Sequence, residues 1–374
     1  MNKRTVLNVL KYLLAFGLLG WVISQNWAPP GGQGLRDVWQ RHFVEGKPIH
    51  SEFLLGAVLC FIPALVLTLL RWYVLVRAQD LPFRVRDAIR LGLIGFFFST
   101  FLPGSVGGDI VKAAALARQQ SRRTVAVATV IMDRLIAFWG LFWFMALVGA
   151  GLWLAGALEG PGAAESKLIV ELAGAVVAVS VVVWLLLGLL PDRRANRFAG
   201  RLEMLPKVGG SAAEFWRAVW MYRCRQKSVA FVLLISFVGF VGFVGAFYCS
   251  ARTLWDASTD PPIPTLAQHF LIVPLGLILA ALPLFPGGIG ISEAGFSGLY
   301  KLVGCADGKT YGVLGSLVQR VITWALGLVS YAVATWMPST LPGEDQPAGA
   351  EVAPVLVSNG DGRMGPREET LRAS

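Results

Sequence analysis

Six ionisable residues, Arg71, Asp109, Asp133, Arg134, Glu293 and Arg320, stand in or beside long apolar stretches of this 374-residue chain. At a helix centre in hydrocarbon each costs about 2.5–3.5 kcal/mol, so six left alone would cost on the order of 15–20 kcal/mol. They must pair, face water or snorkel to an interface. Their spacing suggests how: Asp109 precedes Arg134 by 25 residues and Glu293 precedes Arg320 by 27. That recurrence points to two pairs, Asp109 with Arg134 and Glu293 with Arg320. Asp133 and Arg134 are helix neighbours that face different ways, so one of them needs a partner elsewhere. Arg71 lies near the end of a span, where its long stem can simply snorkel. Such pairs either pin helices together or handle a charged ligand.

A glycine-rich turn lies beside each carboxylate. Leu102-Pro103-Gly104 leads through Gly107-Gly108 to Asp109, with Lys112 one helical turn on, and Pro286-Gly287-Gly288 leads through Gly290 to Glu293. Without a Cβ, glycine lets backbone N–H groups at a broken helix approach an anion closely. The plainer reading is a tight turn or close helix packing, which small residues serve routinely in bilayers. Both readings stay open at this point. The candidate substrate-binding set is Pro103, Gly104, Gly107, Gly108, Asp109, Lys112, Asp133, Arg134, Pro286, Gly287, Gly288, Gly290, Glu293 and Arg320. No nucleophile–base pair or nucleotide motif marks a catalytic residue, and the expectation is a protein that is not an enzyme.

The elements that must position these residues are membrane helices. Hydrophobic residues make up 55% of the chain and charged ones 15%, against roughly 25% charge in a soluble domain. Apolar runs of the length that crosses ~30 Å of hydrocarbon predict full spans at 6–25, 53–76, 124–157, 168–190, 229–250 and 312–337. The first has Lys3 and Arg4 ahead of it, as a signal peptide would, but no small-x-small cleavage site follows in Ser24-Gln25-Asn26; it reads as a retained helix.

Basic clusters at Lys3/Arg4, Arg77–Arg90, Lys112–Arg123 and 193–227 mark cytoplasmic loops. The net charge of +10 therefore follows from topology and argues against nucleic acid. Two of these basic loops flank a stretch too short to cross twice, so 88–117 reads as a re-entrant hairpin turning at its Pro/Gly segment, and 267–303 as a second one entering from the other side. The fold class is thus an all-α polytopic membrane protein of six full spans and two re-entrant hairpins, with eight helices as the alternative. Both termini are expected in the cytoplasm of a cell (inner) membrane protein. Residues 1–340 form the membrane domain, in halves of about 1–160 and 161–340 that each read span, span, hairpin, span. An odd number of spans per half implies an inverted repeat, the architecture of secondary transporters. Residues 341–374 read as a disordered tail. Cys60, Cys224, Cys249, Cys305, His42, His50 and His269 are scattered without metal-ligand spacing, and no cofactor is expected.

The run Leu102-Pro103-Gly104-Ser105-Val106-Gly107-Gly108-Asp109-Ile110-Val111-Lys112, with Asp133-Arg134-Leu135, resembles the membrane region of bacterial lysylphosphatidylglycerol synthases and the stand-alone flippase-like proteins related to it. Leu282-Pro283, then Pro286 to Glu293, and Gln319-Arg320 resemble the family's second signature, and the likeness covers about residues 5–340. It implies an inner-membrane protein that moves a modified or anionic phospholipid, or a lipid-linked headgroup, between leaflets. Ser99 and Lys112 depart from the Asn and Arg that family members often carry there. An aminoacyl-transferase domain like that of the full synthases is not expected in this sequence. The implied partner is a membrane lipid. Alternatives are a membrane-embedded lipid or polyprenyl transferase, and a non-transporting partner that recruits a separate lipid-modifying enzyme through the basic 191–227 loop. The lipid, the energy source and the oligomeric state are not encoded legibly.

Overall fold

The computed structural model describes residues 3–29, 33–102, 107–120, 122–188, 191–204, 209–282 and 286–338, with 356–358 and 364–366 beyond them. The chain divides into two units, Met1–Met337 and Pro338–Ser374. In the second unit Leu356–Ser358 pairs antiparallel with Met364–Pro366, where composition reads as a disordered tail. The first unit is helical throughout its described residues: α1 (Lys3–Trp27), α2 (Leu35–Trp39, continued by a π-helical turn Gln40–Val44), α3 (Ser51–Arg77), α4 (Val85–Phe101), α5 (Gly107–Gln119), α6 (Arg123–Leu154), α7 (Ala163–Gly188), α8 (Asp192–Glu203), α9 (Gly209–Cys224), α10 (Gln226–Arg252), α11 (Leu266–Ala281), α12 (Ile291–Leu302) and α13 (Lys309–Trp336). Six of them, α1, α3, α6, α7, α10 and α13, are long and apolar enough to cross a bilayer. The chain is a multi-pass membrane protein.

The four short helices fall where the hairpins are expected. At 1.5 Å per residue the 17 residues of α4 reach about 25 Å and the 13 of α5 about 20 Å. The 16 of α11 and 12 of α12 reach about 24 and 18 Å. Each falls short of ~30 Å of hydrocarbon, and within each pair the two helices pack on one another. Sequence dictates the breaks. Leu102 and Leu282 are both extended (ψ 153° and 131°); each precedes a proline, whose ring bars the α conformation from the residue before it. In the second break Gly287, Gly288 and Gly290 have φ of 52°, 67° and 81°, a left-handed region that glycine enters without a Cβ penalty. Pro103, Gly104, Ser105 and Val106, the predicted tip of the first hairpin, lie outside the described residues.

Small residues set how the long helices meet. A Cβ on Gly56 of α3 would lie 3.3 Å from Cys249 Sγ of α10, one on Gly245 would lie 3.1 Å from Cys60 Sγ, and one on Gly242 would lie 2.9 Å from the Ala64 Cβ. Residue numbers rise on α3 as they fall on α10, so the two run antiparallel along a small-residue seam, which lets backbones approach where lipid supplies no hydrophobic drive. The same opposed numbering joins α4 to α13, through Arg90 Nε to the Ala334 carbonyl (3.4 Å) and Phe97 on Tyr331 (4.5 Å between rings). It also joins α6 to α11, through Arg134 Nη1 to the Ala281 carbonyl (3.4 Å) and Phe144 on Phe270. Helices α3 and α10 hold the same place in the order span, span, short pair, span, and so do α6 and α13.

Two regions read as loops contain helix. The 26–52 connection holds α2 and its π-helical turn, and Arg41 there bonds Asp260 (2.6 Å) and Tyr311 Oη (3.1 Å). Burial works against the Arg41 charge, but these hydrogen bonds outweigh it and raise its pKa. The basic 191–227 connection is the helical hairpin α8–α9. Neither has the length that makes a membrane span visible in sequence.

Candidate functional site

Both motif carboxylates occupy the third position of a half-length helix: Asp109 in α5, which begins at Gly107, and Glu293 in α12, which begins at Ile291. There the free N–H groups and the dipole of a helix start favour negative charge. Arg134 of α6 pairs with Asp109 and extends to the Ala281 carbonyl at the end of α11 (3.4 Å). Lys112 Nζ, one turn along α5, stands 3.7 Å from Asp109 Oδ1 and 5.5 Å from the centre of the Trp72 ring.

The second centre is more enclosed. Glu293 is fully buried. Its Oε2 accepts the Gly290 N–H (2.8 Å), and its Oε1 accepts Arg320 Nε (2.7 Å) and Ser316 Oγ (3.3 Å). The remaining Arg320 nitrogens donate to the carbonyls of Gly287 (3.0 Å) and Gly288 (3.1 Å). Thus the chain's own carboxylate takes the Gly290 N–H, and the turn shows its carbonyls to the arginine. Pro286 opens this turn as the first residue of a 3-10 segment.

The glycines of the first centre do a different job. A methyl on Gly108 would overlap the Gly95 carbonyl oxygen and Ser99 Oγ of α4, and one on Gly107 would lie 2.9 Å from the Leu102 Cβ. Close packing of α5 on α4 is therefore sufficient reason for both glycines. Gly108 thus has no room for a methyl group. At Gly288 a Cβ would be strained for a different reason, since φ there is 67°.

Arg71 is also corrected. Instead of snorkelling, it turns inward and grips Asp133 with both ends of its fork, Nε to Oδ1 (2.8 Å) and Nη2 to Oδ2 (3.0 Å), with both residues buried. The cause lies in α6: adjacent residues point about 100° apart, so Arg134 reaches α5 while Asp133 reaches α3. A second buried charge without a partner on α6 was the available signal, and Arg71 was the remaining cation within a span. Asp133 therefore stands apart from the two glycine-turn centres.

Between the end of α4 and the second glycine turn lies a cavity of about 300 Å³. The end of α4 and that turn approach one another there, since a Cβ on Gly287 would stand 2.9 Å from the Thr100 carbonyl oxygen. Helix α1 touches both, Tyr12 Oη donating to the Phe101 carbonyl (3.0 Å) and the Ala15 carbonyl lying 2.9 Å from a Cβ on Gly290. Phe61, Phe96, Phe243, Phe247, Phe296 and Trp324 form apolar walls, while Ser99, Thr100, Ser292, Ser316, Gln319, Arg320 and Thr323 supply polar groups. Of the predicted residues, Gly287 and Arg320 line it. Gln319 and Ser316 do so without having been singled out as binding residues, although they neighbour Arg320 at one and four residues' distance on α13. Gln319 bonds Ser250 Oγ through one amide atom (3.0 Å), and its other amide atom is buried without a partner. No group of three or more His, Cys, Asp or Glu able to hold a metal occurs among the described residues.

The model of the family described as "Lysylphosphatidylglycerol synthase TM region" matches residues 9–330. A UPF0104 membrane protein of Methanothermobacter thermautotrophicus is 24% identical over 305 residues, covering 77% of this chain and 86% of that protein. No solved structure matches.

Proposed function

We propose, for a chain that belongs to the lysylphosphatidylglycerol synthase TM region family, that it is a translocase of an anionic or modified phospholipid or lipid-linked headgroup in the cell membrane, not an enzyme. The observation that carries this reading is the cavity between the end of α4 and the second glycine turn, apolar-walled but with Arg320, the partner of Glu293, among its polar groups. At about 300 Å³ it lies at the small end of ligand pockets. It suits a headgroup whose acyl chains stay in the bilayer. The antiparallel run of α3 against α10 supports an inverted repeat, the shortness of α4, α5, α11 and α12 supports two re-entrant hairpins, and the basic loops support termini in the cytoplasm. Rocking of the halves would then expose the site to either leaflet.

In the empty state Glu293 neutralises Arg320, so the arginine can sit in the membrane interior without its full insertion cost. A headgroup phosphate entering the cavity competes with Glu293 and the Gly287 and Gly288 carbonyls for the Arg320 fork. Release of the phosphate restores the internal pair. Arg134, bonded to both α5 and the end of α11, is placed to sense the same exchange from the other hairpin.

Leaflet exposure of labelled anionic lipid in proteoliposomes tests this. Arg320→Lys keeps the charge but loses the fork that spans Glu293 and two carbonyls; transport should fall at least tenfold with the protein still monodisperse. Wild-type transport by Arg320→Lys and Arg134→Lys together would remove the arginines from the mechanism.

A further inference from the structure

Away from the central cavity, α8 and α9 form a hairpin with two unlike faces. Ala195 and Ala199 of α8 are buried against α9, where Trp216 Nε1 donates to the Ala195 carbonyl (3.1 Å). The other face carries Arg194, Arg197 and Arg201, spaced three and four apart and so in one row. These three arginines, with Phe198 and Trp216, line a recess of about 440 Å³. Its floor is aromatic, the Phe198 and Trp216 rings meeting edge to face at 4.8 Å.

Among the described residues the charge in this recess is uncompensated. Neighbouring Arg217 pairs with Glu203 (2.6 Å), and Arg225 pairs with Asp80. Among the described residues no carboxylate pairs with Arg194, Arg197 or Arg201. Three guanidinium forks around a concave surface match the geometry of a phosphodiester, and the aromatic floor suits an apolar group attached to it.

Position identifies the source of that phosphate. Helix α9 is tied to the end of α3, with Tyr222 Oη donating to the Leu75 carbonyl (2.9 Å) and Gln79 Nε2 to the Ala218 carbonyl (3.1 Å). Because α3 is a 27-residue apolar span, its end marks the membrane border. Phe198 and Met204, 45% and 82% exposed, place apolar groups beside the arginines, as in helices that lie in a headgroup layer. The connection in the first half, α2 with its π-helical turn, has no such row.

We infer that the α8–α9 hairpin holds a separate binding site for the phosphate headgroup of an anionic phospholipid in the adjoining leaflet, with Arg194, Arg197 and Arg201 as its donors and Phe198 and Trp216 as its floor. The site anchors this end of the bundle to lipid whatever the central cavity carries. Its test is therefore binding, not transport.

The full chain, purified and placed in zwitterionic nanodiscs, is titrated with short-chain phosphatidylglycerol, short-chain phosphatidylcholine, glycerol 3-phosphate and inorganic phosphate, and retention is read by native mass spectrometry. Wild type should prefer phosphatidylglycerol to phosphatidylcholine. Arg194→Ala/Arg197→Ala/Arg201→Ala should weaken that binding on the order of 100-fold, from about fivefold per arginine at an anionic surface. The corresponding triple lysine variant, which keeps the charge but loses the guanidinium forks, should retain only part of the preference, and Arg217→Ala should change nothing. Tighter binding of the two soluble phosphates than of the lipid would overturn the lipid assignment. So would equal retention of both lipids, an unchanged triple alanine variant, or capture of a soluble protein through α8 with no lipid dependence.

Discussion

The blocks α1–α6 and α7–α13 differ most at one matched position, the residue before the motif arginine. In the first block it is Asp133, gripped by Arg71 in a buried bidentate ion pair. In the second it is Gln319, held by one hydrogen bond to Ser250 and left with an unpartnered amide atom beside the cavity. The glycine turns diverge in parallel, Gly108 packing helix on helix while Gly287 and Gly288 present carbonyls to Arg320. One element order thus serves two ends: the first half is locked by charge, and the second keeps neutral hydrogen-bonding capacity free where its glycine turn meets the end of α4. A cavity lined by Gln319 costs less to leave empty than one lined by an unpaired Asp would.

The largest effect should come from breaking the lock. Arg71→Ala strands Asp133 in the membrane interior and should cost about 3–5 kcal/mol, whereas Arg71→Met with Asp133→Leu should recover most of it, because two apolar residues replace a buried pair nearly neutrally. Thermal unfolding of the purified variants measures both. A stable Arg71→Ala protein would mean that the pair carries no such role and that the halves are not distinguished by it.

Next in size are the glycines. Gly108→Ala forces a methyl into the Gly95 backbone of α4, which cannot yield as a side chain can, and should cost about 1–3 kcal/mol or more. Gly288→Ala meets Ser292 Oγ at a tolerable 3.0 Å but must hold φ near 67°, a strain of about 1–2 kcal/mol. Expression level and monodispersity should rank wild type above Gly288→Ala above Gly108→Ala. The reverse order would show that the second turn, not the α4–α5 contact, is the tighter fit.

How much of this was legible in the sequence varies with the physics involved. Length and apolarity gave the six long helices to within a few residues, and proline with glycine marked both helix breaks, because these properties act locally. The partners Asp109–Arg134 and Glu293–Arg320 were legible because a similar spacing, 25 and 27 residues, occurs twice. Arg71 was not, since a long cation near a span's end can snorkel or turn inward, and only the orientation of α6 decides. The signs of φ at Gly287, Gly288 and Gly290, and the absence of room at Gly108, depend on which helix lies opposite. The helices α8 and α9 were hidden by their polarity, which in a membrane protein reads first as loop.

The smallest effect sharpens the contrast at the matched position. Gln319→Ala removes one hydrogen bond to Ser250, worth about 0.5–1.5 kcal/mol net, but also removes a buried amide atom that has no partner, a group that costs about 1–3 kcal/mol to desolvate. The two contributions oppose, so stability should change by less than about 1 kcal/mol, with either sign. Asp133→Ala, at the corresponding place in the first half, leaves Arg71 buried and unpaired and should cost about 3–5 kcal/mol. Unfolding midpoints of the two alanine variants, measured side by side in one detergent, give the comparison directly. If Gln319→Ala proves as damaging as Asp133→Ala, Gln319 is a structural pin like its counterpart, and the cavity loses a polar group with hydrogen-bonding capacity to spare for a ligand.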